Sequence, residues 1–151
     1  MNRFAACLLR CFAILLGYAA ASLGASAFLN LIFLGAVFGP QDASAVASSG
    51  SLFFSVPFVA LFVAYFGFIP AAAIILIAEV LARRDWLFYA LGGGVVAAVF
   101  IGFLHQAADP DFQITGVSPA LTVIGAGMVG GICYWLTAGR WAGSWRDELG
   151  A

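Results

Sequence analysis

Lysine is absent from the chain, histidine occurs once, at His105, and methionine only at Met1 and Met128. Cysteine is limited to Cys7, Cys11 and Cys133, with no CxxC pair. These shortages exclude most kinds of site chemistry. A retained haem needs inward His or Met ligands. A soft metal needs a second His or clustered thiols. Catalysis needs converging titratable groups, yet only one carboxylate, Glu79, falls inside an apolar run, and its place is at the opposite end of a bundle from His105. The expectation is a protein with no enzymatic activity, no cofactor and no metal. Charge is short too: charged residues make up 9% of the 151 residues, where soluble domains carry about 25%.

What fills the space is apolar. The sequence is 64% hydrophobic, with a mean hydropathy of +1.08, and its apolar residues gather into runs long enough to cross a hydrocarbon core about 30 Å thick. Four spans are expected, at about 11–38, 57–82, 86–106 and 119–138. The fold class is therefore an all-α integral membrane protein, a four-transmembrane-helix bundle with no soluble domain, forming one membrane domain over 1–151. The six cations are all arginines: Arg3, Arg10, Arg83, Arg84, Arg140 and Arg146. With four spans they fall on one side, and the positive-inside rule makes both termini cytoplasmic. The cysteines then lie on the reducing side and are expected to be small buried apolar residues rather than a disulfide.

The second span organises the chain. It carries Pro57, expected in the first helical turn, Pro70 in its interior, expected to bend the helix around Gly67 to Pro70, and Glu79. Glu79 precedes Arg83 by four residues, so a helical ion pair with Arg83 or Arg84 is expected as a structural anchor near the inner headgroups. The competing reading makes Glu79 a proton or cation site. Asp85 is placed to cap the third span, and Arg83-Arg84-Asp85 is short enough to make the second and third spans a hairpin.

In the first span Ser22, Ser26 and Asn30 recur at four-residue spacing and share a stripe. That stripe should face protein, with the serines bonded back to the preceding turn and Asn30 bonded to a neighbouring helix. Its rival role is to line a substrate or water path. A signal peptide within residues 1–27 is a second rival, with Ala25-Ser26-Ala27 as its cleavage pattern, but Phe28 to Phe38 would then remain as an apolar orphan too short to span. Residues 39–51 read as a polar outer loop containing Asp42.

The third span carries Ala90, Gly94, Ala98 and Gly102 at strict four-residue spacing, and the fourth carries Gly127 and Gly131. These small-residue stripes are expected to pack against each other, or against a second copy or a protein partner. The glycines are not a nucleotide loop, since no strand precedes them, and no nucleic-acid partner is expected. His105, Asp109 and Asp111 gather a nitrogen and two carboxylates, but Pro110 breaks the helix between them, so a solvated helix end is expected there. Ser118, Pro119 and Gly139 delimit the fourth span as cap, first turn and C-cap. The tail 139–151 spaces Trp141, Trp145 and Leu149 as a short amphipathic turn for the inner leaflet.

The stretches Tyr134–Gly143 (YWLTAGRWAG) and Phe68–Gly94 resemble parts of small, uncharacterised four-span bacterial inner-membrane proteins. The resemblance implies a bacterial inner-membrane location and carries no information about activity. Small multidrug transporters also have four spans, but their essential glutamate lies in the first, where this chain has Asn30. The preferred function is a non-enzymatic accessory, assembly or regulatory subunit acting through helix packing, with the lipid bilayer and a protein partner or second copy as its expected partners. The alternative is a small oligomeric transporter or channel in which Glu79 and the Ser22, Ser26, Asn30 stripe line the path.

Overall fold

The computed structural model describes residues 3–37, 50–107 and 117–143, with side chains placed for 7–34, 50–106 and 119–143. Among the described residues there are four α-helices, α1 (Arg3–Val37), α2 (Ser51–Leu81), α3 (Trp86–Ala107) and α4 (Val117–Thr137), a 3-10 turn (Gly139–Trp141), and no strand. Each helix is long and apolar enough to cross a membrane, so the chain is a multi-pass membrane protein whose described residues are helical throughout apart from short turns. Asp42, Asp109, Asp111, Trp145, Arg146 and Leu149 lie outside the described residues, as does the Ser118 side chain.

α2 starts six residues earlier than its hydropathy suggests, because Gly50 turns the chain with φ 76° and Phe53 donates back to the Gly50 carbonyl at 3.0 Å. Pro57 is therefore inside the helix and not in its first turn. The helix continues through both prolines. Pro70 removes the donor that the Phe66 carbonyl would have used, and the Tyr18 hydroxyl braces that region from α1 by donating to the Ala64 carbonyl at 2.6 Å.

α4 is the hub, packed closely against both α3 and α1, whereas α2 meets α3 only loosely. Glycine is the reason. A Cβ on Gly127 would overlap the Gly93 carbonyl, and one on Gly131 would overlap the Tyr89 carbonyl, so the α3 and α4 backbones touch. On another face of α4, a Cβ on Gly130 would come within 3.0 Å of the Ala21 carbonyl and 3.3 Å of the Ala25 Cβ, which admits α1. Two close neighbours need two glycine faces, and α4 supplies both.

The stripe expected on α3 is corrected. Ala90 is fully buried, and Gly94 faces Met128 Cγ, which a Cβ there would meet at 3.3 Å, but Ala98 and Gly102 are exposed, with nothing near Gly102. The seam runs through Tyr89, Ala90, Gly93 and Ala97 instead. A helix turns about 100° per residue, so each four-residue step drifts about 40°, and Gly102 lies roughly 120° around from Ala90. The opposing Gly127 and Gly131 do lie in the seam.

Gly139 is also corrected. It does not end α4 in a left-handed conformation; that conformation occurs at Gly50, Ala82 and Gly143. Gly139 sits under the Tyr89 ring, where a Cβ would meet ring carbons at 2.8 and 2.9 Å.

Candidate functional site

Among the described residues, two groups of polar side chains in the spans bond to one another and to neighbouring backbone. The first lies where α1, the α2–α3 turn and the end of α4 converge, and it is built around Glu79. α2 ends because Ala82 adopts a left-handed backbone, φ 50°; its N–H reaches back to Ala78 and Glu79, and the Arg83 N–H donates to the Ala78 carbonyl at 2.9 Å. This is a Schellman-type stop. Arg83 and Arg84 are thereby outside the helix, which removes the i, i+4 relation on which a Glu79–Arg83 pair depends.

Glu79 pairs instead with Arg10 of α1, Nη2 donating to Oε1, while the Gly143 N–H donates to Oε2 at 3.1 Å. Both carboxylate oxygens are engaged, and Glu79 is 9% exposed. Arg10 Nη1 donates to the Ala138 carbonyl at 3.3 Å. Of the two expected partners, Arg83 makes an exposed ion pair with Asp85 at 3.6 Å, and Arg84 Nε donates to the Ala142 carbonyl at 3.0 Å. The expected anchor therefore exists with a different cation.

Aromatic side chains complete this cluster. Trp135 Nε1 donates to the Arg84 carbonyl at 2.6 Å, and the Tyr89 hydroxyl lies 3.1 Å from the Arg83 carbonyl and 3.4 Å from that of Gly139. Tyr89 and Tyr134 pack with ring centroids 5.4 Å apart, over Ala78 and Ala138. Residues 139–143 are thus folded against the α2–α3 turn, with Gly139, Ala142 and Gly143 buried. This part of the tail docks on protein rather than lying on lipid; Trp141 remains exposed beneath the Arg140 guanidinium, 4.3 Å from its ring centroid.

The second cluster joins α1 to α2 further along the bundle. Ser26 Oγ donates to the Val56 carbonyl at 2.6 Å, Asn30 Nδ2 donates to the Ser26 carbonyl at 2.9 Å, and Ser55 Oγ donates to Asn30 Oδ1. Ser22 Oγ bonds back to the Ala19 carbonyl at 2.9 Å. The stripe faces protein and its hydrogen bonds are closed within the chain.

Between the clusters, all four helices surround a cavity of about 320 Å³ whose wall is almost wholly apolar. Ser22 is the one stripe residue that reaches it. Cys133 packs against Gly24, Cys7 and Cys11 are exposed, and all three are free thiols. His105 is exposed in the last turn of α3, and among the described residues no three His, Cys, Asp or Glu side chains gather as a metal would require.

Sequence reasoning missed Arg10, Tyr18, Tyr89 and Trp135. The signal for Arg10 was present: a cation between Leu9 and Cys11, on the side where topology also puts Glu79. The aromatic donors carried no signal, because a tyrosine inside a span looks the same whether it faces lipid or a carbonyl.

These features define a helical multi-pass membrane bundle with a paired intramembrane carboxylate. Compared with known proteins, the chain matches no family model, no curated protein and no solved structure.

Proposed function

We propose that the protein is a non-enzymatic accessory, assembly or regulatory subunit of a bacterial inner-membrane complex, with both termini on the cytoplasmic side. The observation that carries this reading is Tyr65. It is the fifteenth of the 31 residues of α2 and is 79% exposed. Tyrosine at a lipid surface is normally an interfacial residue, and a phenol hydroxyl at mid-span has no water to bond. A neighbouring transmembrane helix with a carbonyl or hydroxyl facing Tyr65 supplies the missing acceptor. α2 suits the task, because it is the least embedded helix and presents Phe58, Leu61, Phe62 and Ile69 around Tyr65.

The engaged oxygens of Glu79 and the internally bonded Ser26, Asn30 and Ser55 favour this reading over a transporter or channel. Glu79 has no free oxygen to load, and the central cavity offers an ion almost no polar wall. The test is photo-crosslinking in native membranes from probes at Phe58, Leu61 and Tyr65, with Gly102 as a control outside α2. A single stoichiometric partner captured from α2 and lost on Tyr65→Phe is expected. Substrate-dependent flux in proteoliposomes that is abolished by Glu79→Gln, with no α2 crosslink, would overturn the proposal in favour of transport.

A further inference from the structure

The central cavity is too large to be a packing defect. Native interiors contain few voids larger than a water molecule, and an apolar cavity of about 150 Å³ stays dry and takes up a benzene. This one, at about 320 Å³, is roughly twice that size. Taking a methylene at about a water's share of the liquid, it has room for on the order of ten carbons.

Its shape points to a chain. On α4 the lining runs from Tyr134, three residues before the helix ends, to Val123. On α3 it runs from Tyr89, three residues after the helix begins, to Phe100. Eleven residues of helix rise about 16 Å, close to half of a hydrocarbon core about 30 Å thick. The cavity therefore extends from the arginine-bearing interface at least to the middle of the membrane, and on α2 its lining runs on from Ile75 to Val59, a rise of about 24 Å, an elongated space suited to a chain. α2 and α3 are loosely packed neighbours, and along their contact exposed Phe62 and Phe66 line the cavity, with the Phe66 and Phe100 ring centroids 5.6 Å apart.

Its interfacial end is polar and unsatisfied. Tyr134 lines the cavity and is 4% exposed, and its hydroxyl has no hydrogen-bond partner. Among the described residues the other buried unpartnered side-chain atom is Arg10 Nε, on the guanidinium that bonds Ala138 and Glu79 outside the cavity lining. A donor left open at the end of an apolar cavity calls for an acceptor. That acceptor is uncharged, because a second carboxylate would lie beside Glu79.

We propose that the cavity binds one acyl chain, entering between α2 and α3 from the bilayer, with a neutral carbonyl oxygen at its head accepting a hydrogen bond from the Tyr134 hydroxyl. The source is either an ester lipid of the surrounding leaflet or a free acyl ester. This site shares Phe62 with the partner face on α2 but does not involve Tyr65.

The experiment measures binding of radiolabelled methyl laurate to the full-length protein in nanodiscs of diether phospholipid, which has no ester carbonyl, with empty nanodiscs subtracted. Saturable binding at one per chain is expected, competed weakly by dodecane and by laurate. Tyr134→Phe should weaken it about fivefold to tenfold, the value of one hydrogen bond. Ala71→Phe should abolish it; Gly67→Leu is the second blocking variant, since a Cβ there meets nothing nearer than 3.7 Å. Ester-phospholipid nanodiscs assign the source: competition identifies the bilayer lipid, and undiminished binding identifies a free ester. Absence of saturable binding in the wild type overturns the proposal, as does unchanged affinity in Tyr134→Phe or in a folded blocking variant.

Discussion

Arg10 and Glu79, 69 positions apart in sequence, form the ion pair that ties the first membrane helix to the second, and each is also held by the backbone of the segment after α4. Their side chains are 13% and 12% exposed, so either charge left alone is a burdened charge. Removing one partner of a buried pair costs about 3–5 kcal/mol, whereas apolar replacement of both is often neutral. Glu79→Gln keeps some hydrogen bonding and should lose about 2–3 kcal/mol. Arg10→Met should lose more, and Arg10→Met combined with Glu79→Met should recover most of the loss. Unfolding titrations of the four proteins check this; a double variant less stable than both singles contradicts it.

The contact between α3 and α4 makes a second, sharper prediction. Gly127→Ala or Gly131→Ala would drive a methyl group into the backbone carbonyl of Gly93 or Tyr89, which cannot rotate aside. Each should cost about 2 kcal/mol or more, the range for overpacking, and should reduce the yield of folded protein. Gly102→Ala, on the exposed side of α3 with open space around it, should be neutral or gain up to about 1 kcal/mol from helix propensity. Thermal unfolding in detergent separates the two classes, and equal effects at Gly102 and Gly131 would refute the packing described.

Four spans were legible in the sequence because length and hydropathy alone decide them, and Gly127 and Gly131 were legible because small residues four apart share a face over one step. Ala98 and Gly102 were misplaced because that rule accumulates drift over three steps. The partner of Glu79 was misassigned for a related reason. Proximity in sequence favours Arg83 only if the helix continues past Leu81, and nothing in the residues Ala82-Arg83 announces a left-handed turn where glycine is the usual occupant. The stripe of Ser22, Ser26 and Asn30 was readable as protein-facing, but its partners, the Val56 carbonyl that accepts from Ser26 and the Ser55 hydroxyl that donates to Asn30, depend on which helix lies alongside.

Ala82 itself provides a third prediction. A residue with a Cβ at φ 50° is strained by roughly 1 kcal/mol relative to glycine. Ala82→Gly should therefore stabilise the protein by about 0.5–1 kcal/mol, provided its methyl contact with Gly143 contributes less. The reciprocal change is unfavourable on two counts. Gly143 has φ 72°, and a Cβ there would lie 2.5 Å from the Ala82 Cβ. Gly143→Ala should destabilise by more than 1 kcal/mol and free Glu79 Oε2 from its backbone donor, whereas Gly143→Ala in the Ala82→Gly background should cost less. A coupling energy near zero between these two positions would show that they are not in contact.

The Asn30–Ser55 bond is the counterpart of the ion pair on the other half of the bundle, and it yields the last prediction. Side-chain hydrogen bonds between membrane helices average about 0.6 kcal/mol and reach about 1.7, so Ser55→Ala alone should cost about 1 kcal/mol. Asn30→Leu should cost somewhat more, because it also removes the bond to the Ser26 carbonyl. The double variant should lose less than the sum, giving a coupling energy of about 0.5–1 kcal/mol, since both single changes delete the same bond. α2 has few other ties in this half, so a structural readout should follow the energetic one. Hydrogen exchange of the amides from Phe53 to Phe62 should rise in both single variants, while exchange around Ala78, held by the Arg10 pair, stays at the wild-type rate. Strict additivity of the two substitutions, or exchange rising equally at both ends of α2, would mean that the two clusters do not hold α2 independently.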